Sequence, residues 1–375
     1  MKITDIKTYI VHAHKDNWVF TKVFTDEGIT GLGESSLEGR ENTVKEAIAE
    51  LKRYLVGKNP FDIEKHLYKM FRDAYWGAGP VLTSALSAVD GAMWDIKGKA
   101  LGVPVYQLLG GKFREKIRVY ANRWFFDEDT PEKLAEKAAR TVEKGYTALK
   151  WDPFGKAEWS ISKTQLKQAL KEIKAVREAV GDEIDILIEG HGRFNTASAI
   201  QIAREMEEFK PMFFEEPVMP ENLDVLAEVH DKSPVPIAVG ERLYTKYDFR
   251  MILEKRATDY IQPDLRVTGG ITEAKKIAAM AESCFIPVAP HNIHGQVGTA
   301  MSLQLVGSIP NAAILEYSVE DIEWKEKLFD FTFKPENGYL SIPDRPGLGL
   351  DMDESVAERF PFKAMSLIEL MFEQD

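Results

Sequence analysis

The feature that most constrains this chain is a regular spacing in its second half. Polar residues close successive apolar runs at Glu189, Glu215, Glu241, Asp264, His291 and Glu316, with gaps of 26, 26, 23, 27 and 25 residues. One strand followed by one helix takes about that length. From about residue 115 the segments KIRVYAN, YTALKW, IDILIE, MFFEE, PIAVG, DYIQP, FIPVAP and AAILEY read as eight strands. Amphipathic helical patterns such as PEKLAEKAARTVEKG, QLKQALKEIKAVREAVG and TASAIQIAREMEEF lie between them. Strand alternating with helix implies a parallel sheet. A doubly wound sheet alternates in the same way, but it gathers its functional groups at one switch point, whereas here strand after strand ends in a polar group. The expectation is an α/β fold, a (β/α)7β TIM-type barrel over residues 115–340.

Residues 1–114 follow another pattern. ITDIKTYIV, WVFTKVFTD and a third strand around GLGE, with a turn at Glu27-Gly28, read as an antiparallel meander. Helical patterns follow in ENTVKEAIAELKRYLVG, stopping at Gly57, and in FDIEKHLYKMFRDAYW and SALSAVDGAMWDIKGKALG. This is an α+β capping (lid) domain. GITGLGESS has the composition of a nucleotide-binding glycine loop, but it falls in a hairpin without the strand–turn–helix setting that loop needs. The tail, 341–375, with PDRPGLGLDMDE and a final helix, is too short for a domain and is expected to pack back on the capping domain.

Composition narrows the partners. A formal net charge of −12 and a pI near 5.3 disfavour nucleic acid. No apolar run approaches the roughly 20 residues of a membrane helix, so no membrane partner is expected. The single cysteine, Cys284, allows no intrachain disulfide and MKITDIKTYI has no signal-peptide core, which points to the cytoplasm.

Residues at the C-terminal ends of barrel strands line the active site. Glu189, Glu215 and Glu241 end three consecutive strands, and three converging carboxylates cannot all stay ionised in a confined site without a cation. Oxygen-only ligands suit Mg²⁺, with Mn²⁺ as a substitute. Any one of these glutamates alone would more often cap a helix. In the EEP segment strand alternation turns Glu215 and Glu216 opposite ways, and Glu215 is taken as the inward one. The same period of two puts Glu189 and His191 on one face of the third strand, and Lys150 and Asp152 on one face of the second. Asp264 and His291 end neighbouring strands, so the carboxylate can hydrogen-bond one imidazole nitrogen and leave the other as a base. Glu316 closes the eighth strand beside them. For His291 the bland alternative is a histidine in the polar loop HNIHGQVG, where His294 is as near.

The segments ALKWDPFG, DILIEGHGRFN, FFEEPV, AVGERL, IQPDLRVTGGITE, VAPHNIHG and ILEYS resemble the successive strand-end motifs of the mandelate racemase branch of the enolase superfamily. The closest likeness is to gluconate and galactonate dehydratases, archaeal-type gluconate dehydratases in particular. The resemblance covers nearly the whole chain. It implies Glu189, Glu215 and Glu241 as Mg²⁺ ligands, His291 as general base with Asp264 as its partner, and Glu316 as the electrophilic residue near the intermediate. It further implies loss of water from an aldonate to give a 2-keto-3-deoxy acid, His191 as candidate general acid with a supporting histidine as the alternative, and a symmetric homo-oligomer, dimer or octamer. Lys150 is expected near the substrate carboxylate and the metal. Three departures stand out. Glu189 replaces the branch's usual Asp, Asp152 stands where racemases carry the second lysine of a Lys-x-Lys pair, and Asp264 stands where cycloisomerases carry a lysine.

Capping-domain loops near His12–Trp18 and Tyr75–Gly79 are expected to exclude water and set substrate choice. Trp18, Tyr75 and Trp124, together with Asp152, are substrate-contact candidates, although a core position is commoner for an aromatic. The competing readings are an epimerase, racemase or cycloisomerase of the same superfamily, a phosphate-binding barrel using Gly269-Gly270, and a non-catalytic barrel.

Overall fold

The computed structural model describes residues 1–364 apart from 74, 78, 127–129, 294, 321 and 323. The meander consists of β1 (Ile3–Ala13), β2 (Asp16–Thr25) and β3 (Thr30–Ser35), paired antiparallel in the order β1-β2-β3. Helices α1 (Glu41–Leu55), α2 (Ile63–Tyr68) and α3 (Pro80–Leu101) follow. The segment expected as one helix after residue 60 is α2 continued by a π turn, Lys69–Asp73. Proline at its first position and Gly102 in the left-handed region just past its end bound α3.

The central strand β2 is buried on both faces, and period two sorts its side chains. Val19 and Val23 join the core formed with α1 and α3, whereas Trp18 and Phe20 join the large core shared with the barrel. The meander is therefore the wall common to both domains. Helix α3 lies so close to β3 that a Cβ at Gly31 would fall 2.1 Å from the Ala92 carbonyl oxygen, and one at Gly33 1.8 Å from that of Ala88. The glycines of GITGLGESS are thus a packing surface for a helix.

The barrel strands are β4 (Lys116–Asn122), β5 (Ala148–Trp151), β6 (Asp185–Glu189), β7 (Phe213–Glu215), β8 (Ile237–Val239), β9 (Tyr260–Ile261) and β10 (Leu315–Ser318). They pair in parallel, neighbour to neighbour, and β10 closes the ring on β4 with Leu315 opposite Val119. The seventh position, expected as FIPVAP, is reduced to bridges of Val288 to Ile261 and Ala312. Pro287 and Pro290 flank it, and each removes an N–H that a strand would donate. The crossover helices are α5 (Pro131–Glu143), α6 (Lys163–Val180), α7 (Thr196–Glu205), α8 (Leu223–Lys232), α9 (Thr245–Lys255), α10 (Gly270–Ser283) and α11 (Gln296–Val306), the short α4 (Val105–Leu108) having preceded β4. Their starts are encoded locally: Ser162 and Gln165 form a capping box on α6, and the side chains of Thr130, Asn195 and Asn222 cap α5, α7 and α8.

Inside the cylinder Tyr120, Ala148, Leu187, Phe213, Ala238, Ala289 and Ile314 form a closed apolar plug. Two residues further along five of these strands stand Lys150, Glu189, Glu215, His291 and Glu316. Period two therefore carries the chain from plug to mouth.

The described part of the tail touches both the barrel and the meander. β11 (Tyr339–Ser341) pairs antiparallel with the start of β4, Pro361 bridges Val11, and the backbone of Lys363 exchanges hydrogen bonds with the Asn17 side chain at 2.9 and 3.1 Å. Of the expected final helix only the turn Glu354–Ala357 is described; residues 365–375 lie outside the described residues.

The close approach at β3 generates a prediction. Gly33→Ala lowers stability by at least the roughly 1–3 kcal/mol typical of overpacking. Gly28→Ala, at an open turn with φ +77° and nothing within 4 Å, costs only the strain of a left-handed residue, about 1 kcal/mol. Denaturant midpoints of the two variants check the order.

Candidate active site

Carboxylate oxygens of Glu189, Glu215 and Glu241, one from each, lie within 4.8 Å of one another. Glu189 and Glu215 are buried and Glu241 is half-buried. Charge balance comes from Lys150 on β5, whose Nζ donates to both oxygens of Glu215 at 2.9 and 2.8 Å. The same ammonium is 2.9 Å from Glu316 Oε1 and 3.5 Å from Glu189 Oε2. One ammonium does not neutralise this set: burial, then the charge of Glu215, pushes the Glu189 carboxyl well above the usual carboxylate range. An all-oxygen donor set with surplus negative charge fits a hard divalent cation. Glu216 turns the other way, held by Arg242 Nε at 2.5 Å, so the alternation expected within EEP places Glu215 in the cluster.

Beside the cluster, His291 Nδ1 donates to Asp264 Oδ2 at 2.8 Å. Asp264 also accepts from the backbone N–H of Arg266 at 2.8 Å and from its Nε at 2.9 Å. Burial opposes ionisation of Asp264, yet the guanidinium of Arg266 and the imidazole hold its carboxyl far below the ordinary range. The other ring nitrogen, Nε2, is 3.0 Å from Glu241 Oε2 and 3.7 Å from Glu316 Oε2. Burial alone would lower the imidazole pKa, but Glu241, Glu316 and Asp264 raise it to about 10. Positive charge added at Glu241 would bring it back down. Glu316 is fixed from three sides, by Lys150, by Asn122 Nδ2 at 2.7 Å and by the backbone N–H of Asn292 at 2.8 Å.

A second histidine–carboxylate pair lies at the mouth. His191 Nδ1 donates to Asp152 Oδ2 at 2.7 Å, and Arg193 NH2 reaches both oxygens of Asp152 at 2.6 Å. The backbone N–H of His191 donates to Glu189 Oε1 at 2.6 Å, with His191 at φ +49°. Sequence reading placed Asp152 and His191 singly and missed both their pairing and Arg193. The signal existed, because residues 152 and 191 stand just past the tips of neighbouring strands β5 and β6.

The aromatic substrate contacts need correction. Trp18 and Trp124 are each only 2% exposed. The Trp18 ring sits 5.4 Å from that of Trp324, and Trp124 packs edge-on against Trp151 while its Nε1 donates to the Lys150 carbonyl at 2.9 Å. Both are core residues without a free face for a sugar chain. Tyr75 is 86% exposed and rests edge-on against Trp76. Asp152 is committed to His191 and Arg193. His294 lies outside the described residues. The phosphate reading at Gly269-Gly270 loses its site: Asp90 of α3 occupies the start of α10, accepting from the Thr272 backbone N–H at 3.1 Å and its hydroxyl at 2.5 Å.

Fold and strand-end chemistry together define a barrel enzyme with a capping domain and a carboxylate cation site. The "Enolase C-terminal domain-like" profile matches residues 133–356 and the "Mandelate racemase / muconate lactonizing enzyme, N-terminal domain" profile matches residues 2–110. The chain belongs to this enolase-superfamily family. It is 38% identical to a D-xylonate dehydratase of Haloferax volcanii, over 98% of this chain and 91% of that protein. To a D-gluconate/D-galactonate dehydratase of Picrophilus torridus it is 38% identical, over 92% of this chain and 89% of the relative. A crystal structure of an enolase-superfamily member from Salmonella Typhimurium superposes with a TM-score of 0.92 at 35% identity, covering 96% of this chain and 98% of that one. Among the described residues no helix is long and apolar enough to cross a membrane.

Glu215→Gln is predicted to weaken Mn²⁺ binding by more than the roughly 10–100-fold typical of losing an outer partner of a ligand, in a titration followed by electron paramagnetic resonance. Glu216→Gln, turned toward Arg242, changes the affinity far less.

Proposed function

We propose that this enzyme is a Mg²⁺-dependent hydro-lyase that dehydrates an aldonic acid of the gluconate, galactonate or xylonate type to a 2-keto-3-deoxy acid. The observation that carries the reading is the seating of the His291–Asp264 pair against the three-glutamate cluster, with Nε2 3.0 Å from Glu241. A base stands directly beside a place for a cation, which is what removal of a proton next to a carboxylate requires. Glu189, Glu215 and Glu241 would hold the cation, which when bound offsets the negative charge growing on the substrate carboxylate. Glu189 is one methylene longer than the branch's usual aspartate and reaches the cluster from β6.

His291 Nε2 takes the C2 proton, with Asp264 fixing the tautomer through Nδ1. Lys150 and Glu316, already in contact, face the carboxylate end of the substrate. The C2–C3 double bond forms as the C3–oxygen bond breaks, and the leaving hydroxyl departs as water with a proton from His191 or from protonated His291. The resulting enol takes up a proton at C3, releases the proton of its C2 hydroxyl and becomes the 2-keto-3-deoxy acid. Epimerisation needs a second base on the opposite face; Asp152, the candidate for it, is engaged by His191 and Arg193, which supports dehydration. The low cysteine content, Cys284 alone, supports a reducing, cytoplasmic setting. A symmetric homo-oligomer, dimer or octamer, is the expected assembly.

The test is a panel of aldonic and aldaric acids, xylonate included, assayed with Mg²⁺ for 2-keto-3-deoxy products by semicarbazide and repeated with EDTA. The expected outcome is cation-dependent turnover of an aldonate that falls by about 10²–10⁴-fold or more in His291→Asn. Deuterium exchange at C2 with epimer formation and no keto product would overturn the proposal.

A further inference from the structure

We infer that Glu34, a residue of the capping domain, positions the His291–Asp264 pair from a distance, acting through Arg266 and through the loop that follows His291. The inference rests on the proposed role of His291 as base.

Three observations converge on Glu34. First, Arg266 is almost fully buried and spends its fork on Asp264, with Nε at 2.9 Å from Oδ1 and NH2 at 2.5 Å from Oδ2. Its remaining nitrogen, NH1, has no hydrogen-bond partner among the described residues and lies 3.7 Å from Glu34 Oε1. Second, the same carboxylate accepts from the Gly295 N–H at 2.9 Å and the Gly298 N–H at 2.8 Å. These amides begin α11, immediately beyond the loop that carries His291. One carboxylate thus grips both halves of the pair, Asp264 through Arg266 and His291 through its loop. Third, the surrounding backbone is shaped to this arrangement. A Cβ at Gly298 would fall 2.6 Å from Arg266 Cδ, and one at Gly295 2.4 Å from Glu34 Oε2.

A line of charges buried this deeply is poorly explained by stability, since apolar side chains of similar volume usually serve as well or better. Geometry explains it. Glu34 projects from β3, the strand packed closely against α3 at Gly31 and Gly33, so its carboxylate is carried by a tightly packed part of the capping domain. Docking of that domain thereby sets the tilt of the imidazole whose Nε2 faces Glu241. A plain helix-capping role for Glu34 makes a different prediction, because it would affect α11 and stability but leave the imidazole where it is.

The test uses the full chain with Mg²⁺ and two charge-conserving variants. Glu34→Asp withdraws the carboxylate by one methylene, and Arg266→Lys keeps the charge but loses the fork. Two quantities are read: kcat and KM per folded molecule on the aldonate identified by the panel, and the imidazole Nδ1–H signal of His291 in ¹⁵N-histidine-labelled protein, assigned by its loss in His291→Asn. The expected result is a fall in kcat of about tenfold or more with KM within about twofold, together with a displaced His291 signal in both variants. Unchanged kcat with an unmoved signal, even alongside a lower melting temperature, overturns the inference and leaves Glu34 a helix cap. Where one variant does not fold, the other decides by the same two readouts. Should the wild type turn over no sugar acid, the dehydratase reading falls, and the His291 signal alone decides whether Glu34 positions the imidazole.

Discussion

The rest of the site depends on one electrostatic constraint: four carboxylates, Glu189, Glu215, Glu241 and Glu316, share a buried space with a single ammonium and an imidazole. Lys150 touches three of the four, and His291 faces the fourth, Glu241, at 3.0 Å and shares Glu316 with the lysine at 3.7 Å, so each positive group is held by the negative ones it relieves. In low dielectric such an array is costly unless it is closed by good geometry or a further cation. The closure comes from outside the array. Asn122 and the Asn292 amide orient Glu316, Arg242 draws Glu216 away, and Arg266 keeps Asp264 ionised despite its burial.

Buried carboxylates join the two domains alongside the shared apolar core. Asp90 and Asp95 on α3 and Glu34 on β3 are all buried, and all accept backbone N–H groups distant in sequence. Asp90 and Glu34 cap α10 and α11 of the barrel, while Asp95 holds Leu32 of β3 and Leu348 of the tail at 2.9 and 2.8 Å. Burial disfavours the charged form of Asp90 and Asp95 and raises both carboxyls, and the backbone N–H groups they accept offset part of that cost. The cap is fastened to the barrel at two such points and to the tail at a third.

Much of this was legible in the sequence because two periods carry the information. The spacing of 23 to 27 residues between strand tips reveals the barrel, and the alternation within strands assigns Lys150, Glu189, Glu215, His291 and Glu316 to its interior. What escaped depends on contacts between elements far apart in the chain. Asp152, His191 and Arg193 come together only because β5 and β6 are adjacent and the chain turns at a residue with positive φ, a conformation that composition does not announce for histidine. Trp18 and Trp124 were open to either reading, since a ring suits a core and a sugar equally until its neighbours are known. Glu34 was invisible as a site residue, because its partners lie 230 or more positions away, at Arg266, Gly295 and Gly298.

The interrupted seventh strand decides how His291 is carried. Pro287 and Pro290 cannot donate, yet backbone bonds cross the position on both sides: Ile261 N–H to the Pro287 carbonyl at 3.1 Å and Ala289 N–H to Ile261 at 2.9 Å toward β9, Val288 N–H to Asn311 at 2.8 Å and Ala313 N–H to Val288 at 2.9 Å toward β10. The wall is sewn here without a regular ladder, and the chain leaves it at Pro290, one residue before the imidazole. The base is therefore mounted on a segment whose course is set by proline rings as much as by strand pairing.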